Sequence, residues 1–507
     1  MSVLSARSEA SAGPLVGVPI ETIPRTADYI ACHAALHPDR TAIEHFGDHI
    51  SYARLDNMLR KVTVALSRYR LPVGSRVCVA IESKLPNLVI LMACDNLGLV
   101  TCSLSVAEGD SALPALHGAG LLVTDRPKYW KGARSRLMVD AQWIERTRQL
   151  ATDGYEQLCV PARPAMPLRL RRSSGTTGHT KLMVATRRAE EYRSRSDLML
   201  MGMSEQSRYW PTLGFDVGSV LTQSQLCLRL GGTLVITLSI PGQVHELIVR
   251  ERITHLRLFQ PELREVLASL PADWTPPPGL TLILGAAPIG RALWDEVLTR
   301  LASRIVYTYN SNESGPIASM GPDGRGVVRP GVALEVVDDD DRPLPFGEAG
   351  HLRIRTPALP NGYLGDPEGT RAVFRKGWFY PNDIGLLERP RVLRLIDRRQ
   401  DVINVGGRKL PGRPYAMALM RVPGVVDAHV TSLVTERGQS ECVAFVVLDA
   451  AVDRAELPDR FAPVHLPHYG RVAIQVVEAL PRTHNGKVSR EGILALYDGA
   501  ACRHVGQ

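Results

Sequence analysis

Short apolar runs rich in β-branched residues alternate with amphipathic stretches through the first two thirds of the chain. Apolar positions at helical spacing predict helices over Asn87–Leu97, Pro261–Ser269 and Arg291–Ala302. Strand–helix alternation at this spacing predicts an α/β fold with largely parallel sheets. The apolar runs have the length of buried strands and lie at Arg76–Ile81, Thr233–Thr237, His255–Phe259, Thr281–Leu284 and Ile305–Tyr307.

The pattern changes twice further along the chain. Strand-like runs at Val332–Val337 and Gly350–Arg355 flank an acidic turn, which predicts a meander. A charged run at 397–401 then precedes a small α/β unit. We therefore expect a large N-terminal domain over residues 1–398, made of stacked α/β subdomains and a β-rich subdomain, and a small mobile α/β domain over 399–507. Residues 1–25, rich in Ser, Ala, Gly and Pro, are expected to form a flexible tail.

Composition argues against several classes of protein. Apolar residues make up 45% of the 507-residue chain and charged residues 22%, as in globular proteins. The net charge of +8 is not gathered into a dense basic run with interleaved aromatic residues, so we expect no nucleic-acid partner. The best membrane candidate, Leu88–Val100, is short and broken by Asp95, so we expect no membrane partner and a cytoplasmic location. The eight cysteines form no C-x-x-C pair, which argues against a zinc site.

One segment combines glycines, hydroxyl side chains and a lysine. Glycines let the backbone come close to a ligand. Hydroxyl and backbone N–H groups can hold phosphate oxygens, and the lysine adds positive charge. Lysine occurs only eight times among 60 basic residues, so its presence here is informative. The spacing is not that of a Walker loop, and a polar surface turn is the alternative. The segment comprises Ser173, Ser174, Gly175, Thr176, Thr177, Gly178, His179, Thr180 and Lys181.

This segment resembles the phosphate loop of the adenylate-forming superfamily, which includes acyl-CoA and aryl-CoA ligases, luciferases and the adenylation domains of peptide synthetases. Further segments resemble that family's motifs in the family's order, from about Thr26 to Arg490, and the acyl-CoA and aryl-CoA ligase branch fits best. The resemblance implies that ATP and Mg²⁺ activate a small-molecule carboxylic acid as an acyl-adenylate, which then passes its acyl group to a thiol. A non-catalytic nucleotide-binding relative is the alternative of another class.

The resemblance also implies roles for individual residues. Tyr309 would stack on adenine, Asp383 and Arg398 would bind the ribose hydroxyls, and Glu313 would hold Mg²⁺ against the phosphates. A hard cation that bridges phosphates prefers carboxylate oxygen. Thr177, Glu313 and Lys487 are the expected catalytic residues. Further nucleotide contacts are expected from Gly285, Ala286, Ala287 and Pro288, and from Asn310 and Asn312, which stand where the family has Gly and Thr.

A third group of residues would form the acyl pocket. Phe215 and Asp216 stand where the family has Phe and His, and Gly218 would leave room for a ring above a floor of Pro316 and Ile317. Asp216 would bind a polar ring substituent or, as the alternative, cap the following helix. An aromatic or arylalkanoic acid is therefore the expected substrate, with medium-chain aliphatic acids next.

The C-terminal motifs concern the second half-reaction. Gly406 and Gly407 resemble the loop that approaches the thiol tunnel in CoA ligases, and Gln400 occupies the hinge position. Lys487 would bridge the substrate carboxylate and the α-phosphate, because the attack of one anion on another needs a positive charge between them. Coenzyme A is the expected acceptor, since we expect no fused carrier domain. A stand-alone carrier protein is the alternative, and a homodimer is compatible with the sequence.

Overall fold

The structure is a computed structural model, and it describes most of the chain. Ile23 is buried and its N–H donates to the Ala162 carbonyl at 3.0 Å, so part of the predicted N-terminal tail packs on the body. The described residues are 22–106, 118–126, 135–174, 180–285, 289–398, 402–405, 408–434, 440–449, 472–482, 488–497 and 503–505, with the single residues 452 and 461.

The strands of the described residues fall into four sheets. In chain order they are β1 (Thr41–His45), β2 (Asp48–Ser51), β3 (Arg76–Ala80), β4 (Val100–Ser103), β5 (Leu121–Thr124), β6 (Arg136–Met138), β7 (Pro167–Ser174), β8 (Thr180–Thr186), β9 (Arg208–Pro211), β10 (Thr233–Ile236), β11 (His255–Leu258), β12 (Thr281–Leu284), β13 (Arg304–Ser311), β14 (Gly315–Met320), β15 (Arg325–Val328), β16 (Ala333–Val337), β17 (Gly350–Arg355), β18 (Phe374–Arg375), β19 (Trp378–Phe379), β20 (Asp383–Arg389), β21 (Val392–Arg398), β22 (Val402–Val405), β23 (Arg408–Pro411), β24 (Val425–Val434), β25 (Ser440–Leu448), β26 (Val472–Val476) and β27 (Arg503–Val505).

Helices cover these sheets. Besides a 3₁₀ turn at Pro241–Gln243, the described helices are α1 (Thr26–Leu36), α2 (Tyr52–Ser67), α3 (Lys84–Asn96), α4 (Ala141–Arg148), α5 (Tyr155–Leu158), α6 (Arg187–Met201), α7 (Gly218–Arg229), α8 (Val244–Arg250), α9 (Gln260–Ser269), α10 (Arg291–Arg300), α11 (Pro367–Val373), α12 (Gly412–Leu419) and α13 (Arg490–Leu496). No helix in the described ranges is both long and apolar enough to cross a membrane.

The large sheets are parallel where they are buried, as the strand–helix alternation predicts. One sheet has the order β6-β5-β3-β4-β7-β8 and is parallel apart from its last pair, β7 and β8. In the other large sheet, β9 to β13 pair in parallel. Successive residues of β9 point to opposite faces of the sheet. Tyr209 packs in one hydrophobic core and Trp210 in another, and both side chains are fully buried. The α/β fold class is therefore confirmed.

Strand β13 joins the parallel part of this sheet to an antiparallel part. Its first four residues pair with β12 in parallel, and from Thr308 onward it pairs with β14 in the antiparallel direction. The predicted meander is present, because β16 pairs antiparallel with β17 from Ala333 to Val337. Beyond β21 the hairpin β22–β23 and the sheet β24-β25-β26-β27 follow. The boundary that we predict at residue 398 coincides with the end of β21.

Helix α6 carries an unusual buried charge cluster. The Thr186 hydroxyl caps its first turn and Gly202, with φ of +66°, ends it. Glu190, Arg193 and Asp197 lie at helical spacing on one face; Arg193 and Asp197 are buried, and the Glu190 side chain is 10% exposed. Arg171 on β7 donates to both carboxylate oxygens of Glu190, at 2.6 and 2.7 Å. Burial alone would raise the pKa of Glu190, but Arg171, Arg169 and Arg193 outweigh it and lower that pKa to about 2.

Replacing Glu190 with glutamine is expected to reduce the free energy of unfolding by about 3–5 kcal/mol, since it leaves buried guanidinium groups without their carboxylate. Chemical denaturation followed by fluorescence measures the change. The matched control is Glu296→Gln, because Glu296 pairs with Arg300 on an exposed helix surface where both side chains are 42% accessible. Equal effects of the two substitutions would contradict a structural role for the buried cluster.

Candidate active site

The predicted phosphate segment lies on a β-hairpin. Strands β7 and β8 place Ser173 opposite Lys181 and Ser174 opposite Thr180. The tip of the hairpin, with Gly175, Thr176, Thr177 and Gly178, lies outside the described residues. The Lys181 ammonium is 3.5 Å from the Asp366 carboxylate and 4.8 Å from the centre of the Tyr363 ring. The lysine is thus held at the base of the hairpin by two residues of a distant segment.

Glu313 contacts the same segment, through Tyr363. Its side chain is buried, at 5% exposure, and its Oε1 accepts a hydrogen bond from the Tyr363 hydroxyl at 2.8 Å. Tyr363 therefore contacts both Lys181 and Glu313, which sequence reasoning separately assigned to phosphate and Mg²⁺. Sequence reasoning missed Tyr363 and Asp366. The sequence feature that could have pointed to this segment is the pair of glycines on either side of the tyrosine, Gly362 and Gly365. Both have positive φ.

The predicted nucleoside residues are also adjacent. The Tyr309 hydroxyl donates to the Asp383 carboxylate, and Asp383 pairs with Arg398 across strands β20 and β21. Asp383 is buried at 7% exposure. The residue before it, Asn382, has φ of +63°, a left-handed conformation that asparagine adopts more readily than most residues.

The two asparagines that depart from the family's pattern both make hydrogen bonds. The Asn310 amide donates to the Thr308 hydroxyl at 3.0 Å, next to a register shift between Tyr309 and Asn310. The Asn312 amide donates to the Arg172 carbonyl at 2.6 Å. Because Arg172 lies on β7 next to Ser173, this hydrogen bond joins the Tyr309–Glu313 segment to the β7–β8 hairpin.

A polar cavity lies behind this segment. It has a volume of about 50 Å³ and is bounded by β11, β12 and β13 on one side and by α6 and α7 on the other. Gly285 ends β12 beside it, and Ala286, Ala287 and Pro288 lie outside the described residues. The lining is Arg171, Arg193, Asp197, Met201, Ser219, Thr222, Gln223, Arg257, Ile283, Val306, Thr308, Asn310, Ser311, Asn312, Gly315 and Pro316.

Among the predicted acyl-pocket residues, Pro316 lines this cavity. Phe215 and Ile317 are buried and are not part of the described lining. That Gly218 leaves room for a ring stays a prediction; in the structure a Cβ at that position would lie 2.3 Å from Nη1 of Arg171. The arginine fills the space.

Asp216 does not occupy the cap position of the following helix. Helix α7 begins at Gly218 with Val217 as its N-cap residue, so Asp216 lies one residue further from the helix. Lys84 anchors this segment by donating to the carbonyls of Pro211 and Thr212, at 2.6 and 3.0 Å. Burial lowers the pKa of Lys84 to about 8, although Glu262 and Asp216 oppose that shift.

The residues that we predict to act from the C-terminal domain lie outside the described residues, next to strands that the structure describes. Strands β22 and β23 form a hairpin that pairs Val405 with Arg408, and the predicted tunnel residues Gly406 and Gly407 connect them. Gln400 and Lys487 also fall outside the described residues. An antiparallel bridge between Arg482 and Val488 brackets the segment that contains Lys487.

Comparison with known proteins identifies the family. The AMP-binding enzyme family matches residues 30–364, and the AMP-binding enzyme C-terminal domain matches residues 416–487. The chain is 27% identical to indoleacetate–CoA ligase of Aromatoleum aromaticum, over 93% of this chain and 98% of the relative. It is 24% identical to 2-succinylbenzoate–CoA ligase of Bacillus licheniformis, over 91% of this chain and 98% of the relative.

A solved structure shares the fold. The o-succinylbenzoate coenzyme A synthetase of Bacillus subtilis, in complex with ATP and magnesium, superposes with a TM-score of 0.74 at 20% identity, over 91% of this chain and 98% of that one. These findings confirm the α/β architecture and the resemblance to the acyl-CoA and aryl-CoA ligase branch of the adenylate-forming enzymes. The chain belongs to the AMP-binding enzyme family.

Proposed function

We propose that the protein is an AMP-forming carboxylate–CoA ligase. A carboxylate oxygen of the acid would attack the α-phosphorus of ATP and displace pyrophosphate. The thiol sulfur of coenzyme A would then attack the acyl carbon and displace AMP. The observation that carries the proposal is the convergence of Lys181 and Glu313 on Tyr363, with Tyr309 and Asp383 hydrogen-bonded nearby. The named CoA ligases at 24–27% identity support it.

The described residues fit a magnesium ion held together with ATP. Within the described ranges, no group of three or more His, Cys, Asp or Glu side chains could hold a metal by itself. Mg²⁺ characteristically binds one or two carboxylates and completes its shell with substrate phosphates and water. Glu313 supplies a buried carboxylate whose orientation Tyr363 fixes, and Lys181 supplies positive charge near it. When bound, the metal would neutralise phosphate charge and orient the leaving pyrophosphate.

The remaining groups of the proposal would come from the tip of the β7–β8 hairpin and from the C-terminal domain. Lys487 would stabilise the negative charge that develops between carboxylate and α-phosphate, and Thr177 with the rest of the hairpin tip would hold phosphate oxygens. Gly406 and Gly407 would line the thiol's path. Rotation about Gln400 would exchange the two faces of the domain between the half-reactions.

A screen of carboxylic acids tests the proposal. The protein is incubated with ATP, Mg²⁺ and aromatic, arylalkanoic or medium-chain aliphatic acids, and pyrophosphate release is measured with and without coenzyme A. The proposal predicts acid-dependent pyrophosphate release, and thioester formation when coenzyme A is present. No release with any acid would favour the non-catalytic relative.

Two finer points belong to the same proposal. A stand-alone phosphopantetheinyl carrier protein is the alternative acceptor, and replacing coenzyme A by such a carrier in the thioester assay separates the two. A homodimer is the assembly that we propose to test, and sedimentation velocity reports it directly.

A further inference from the structure

Lys84 connects the layers of the two large sheets at the segment 211–217, here called the acyl segment. Lys84 is the first residue of α3, which follows strand β3 of one sheet, whereas Pro211 ends strand β9 of the other. Its side-chain nitrogen donates to the carbonyls of Pro211 and Thr212, at 2.6 and 3.0 Å. The start of the acyl segment is therefore held by a side chain that comes from the other sheet's layer.

The acyl segment leads from β9 to helix α7 and to the polar cavity. Val217 is the N-cap residue of α7, and Ser219 and Thr222 near the start of that helix line the cavity. Phe215 is buried in the same hydrophobic core as Tyr209 of β9. A displacement at the start of the segment would therefore reach the residues that we predict to contact the acid.

The remaining contacts at the start of the acyl segment come from neutral and acidic groups. The Thr212 hydroxyl donates to the Arg257 carbonyl at 2.7 Å, and a carboxylate oxygen of Glu262 lies 3.4 Å from it. The charged groups that act on Lys84 are Glu262 on α9 and Asp216 of the acyl segment. Lys84 is thus the cation of a small group that otherwise carries negative charge.

Asp216 folds back on its own turn. The Val217 N–H donates to the Gly214 carbonyl at 3.2 Å, and a Cβ at position 214 would collide with Oδ1 of Asp216. Glycine at that position therefore lets the Asp216 carboxylate lie against the backbone of the acyl segment. A carboxylic acid substrate is an anion at neutral pH, so a carboxylate here would repel it if no cation lay close by.

A partly buried ammonium group costs free energy, so its presence at Lys84 calls for a reason. Burial lowers the pKa of Lys84 to about 8, although Glu262 and Asp216 oppose that shift. The three donors of an ammonium group can converge on two carbonyls and a carboxylate, which the planar guanidinium of an arginine does less well. Strongly shifted ionisable groups occur most often at functional sites, which favours a role for Lys84 in binding over a role in stability alone.

We propose that Lys84 is a positioning residue of the acyl pocket, whose ammonium group fixes the end of β9 and offsets the negative charge of Asp216 so that an anionic acid can bind. The inference rests on the proposed ligase function. Lys84 acts through the acyl segment and through its charge, without touching the reacting atoms. The KM for the acid should therefore depend on Lys84, and the KM for ATP should not, since the predicted nucleotide residues belong to other segments.

The charge of Lys84 gives the inference a pH dependence that can be measured. The proton of Lys84 is lost as the pH rises through about 8, whereas an ordinary lysine keeps its proton to about pH 10. The carboxylate of the substrate stays ionised throughout this range. The KM for the acid should therefore rise about fivefold or more between about pH 7 and pH 9, and the KM for ATP should change less than about twofold.

Acid-dependent exchange of labelled pyrophosphate into ATP measures adenylate formation without coenzyme A, so the titration of the thiol does not enter. In Lys84→Met the KM for the acid at about pH 7 should be about tenfold higher than in the wild type and should no longer rise with pH. The matched control is Lys61→Met, because Lys61 on α2 donates to the Arg148 carbonyl, outside the acyl segment. It should keep the wild-type KM and its pH dependence.

Two further variants separate the charge of Lys84 from its hydrogen bonds. Lys84→Arg retains a charge that is not lost at high pH, so its KM for the acid should stay low at about pH 9. In the double variant Lys84→Met, Asp216→Asn the repelling carboxylate is absent, and the KM for the acid should return to within about threefold of the wild-type value. A double variant that binds the acid as weakly as Lys84→Met would overturn the offset of charge at Asp216.

The outcomes distinguish the inference from the proposed function. Equal KM values for the acid in Lys84→Met and the wild type would overturn the inference and leave the ligase function standing. Exchange with none of the acids in the screen would overturn the proposed function itself. If thermal unfolding shows that Lys84→Met does not fold, the wild-type protein and Lys84→Arg decide, because a wild-type KM for the acid that stays constant between about pH 7 and pH 9 also overturns the inference.

Discussion

Replacing Glu313 with glutamine is expected to slow acyl-adenylate formation by a factor of about 10²–10³ and to raise the Mg²⁺ concentration required for half-maximal rate. Glutamine keeps the shape and the acceptor for the Tyr363 hydroxyl, but it removes the negative charge that a hard cation needs. The measurement is the initial rate of pyrophosphate release over a range of Mg²⁺ concentrations, at saturating ATP and acid.

The matched control for this substitution is Tyr363→Phe. It removes the hydrogen bond to Glu313 but leaves the carboxylate and the aromatic ring beside Lys181. We expect the rate of pyrophosphate release to fall less than in Glu313→Gln, and the Mg²⁺ requirement to stay close to that of the wild type. If Glu313→Gln shows the wild-type dependence on Mg²⁺, the assignment of Glu313 to the metal is wrong.

Lys487→Ala is expected to abolish acyl-adenylate formation while the variant still converts supplied acyl-adenylate into thioester. The reason is that the lysine's charge is needed only while the carboxylate attacks the α-phosphate. Two assays are compared on the folded variant, namely pyrophosphate release and thioester formation from pre-made adenylate.

Gln400→Pro is the complementary variant in the same experiment. A proline fixes φ at the proposed hinge, so it should hinder rotation and thioester formation while adenylate formation continues. If both variants lose both half-reactions in parallel and remain folded, domain alternation around Gln400 is the wrong account.

Local sequence patterns predicted the fold well where a strand or helix is defined by its own residues. The run at Thr281–Leu284 is a buried strand with the predicted bounds, and the helix predicted over Arg291–Ala302 is observed at Arg291–Arg300. Such elements follow from the periodicity of apolar side chains, which depends on near neighbours in the sequence. The resemblance to the family assigned Tyr309 and Asp383 to the nucleoside, and in the structure their side chains are hydrogen-bonded to each other.

The contacts that organise the site were less visible, because their partners are distant in sequence. Tyr363 follows Glu313 by 50 positions, and strands β14 to β17 lie between them in the chain. Arg171 and Arg257 would be read as exposed in a chain with many arginines, yet both are about 5% exposed. Glu190, Arg193 and Asp197 share one face of α6, which turns charge inward where a helix usually buries apolar side chains.

The central claim is that the acid is activated as an adenylate, and an oxygen-isotope experiment tests it most directly. The best acid from the screen, with ¹⁸O in both carboxylate oxygens, is converted to the coenzyme A thioester with ATP and Mg²⁺, and the nucleotide product is analysed by mass spectrometry. Because the attacking carboxylate oxygen stays on the α-phosphorus when the thiol displaces AMP, the account predicts AMP that carries one ¹⁸O atom. Thioester formation that yields ADP, or AMP without the label, would contradict it.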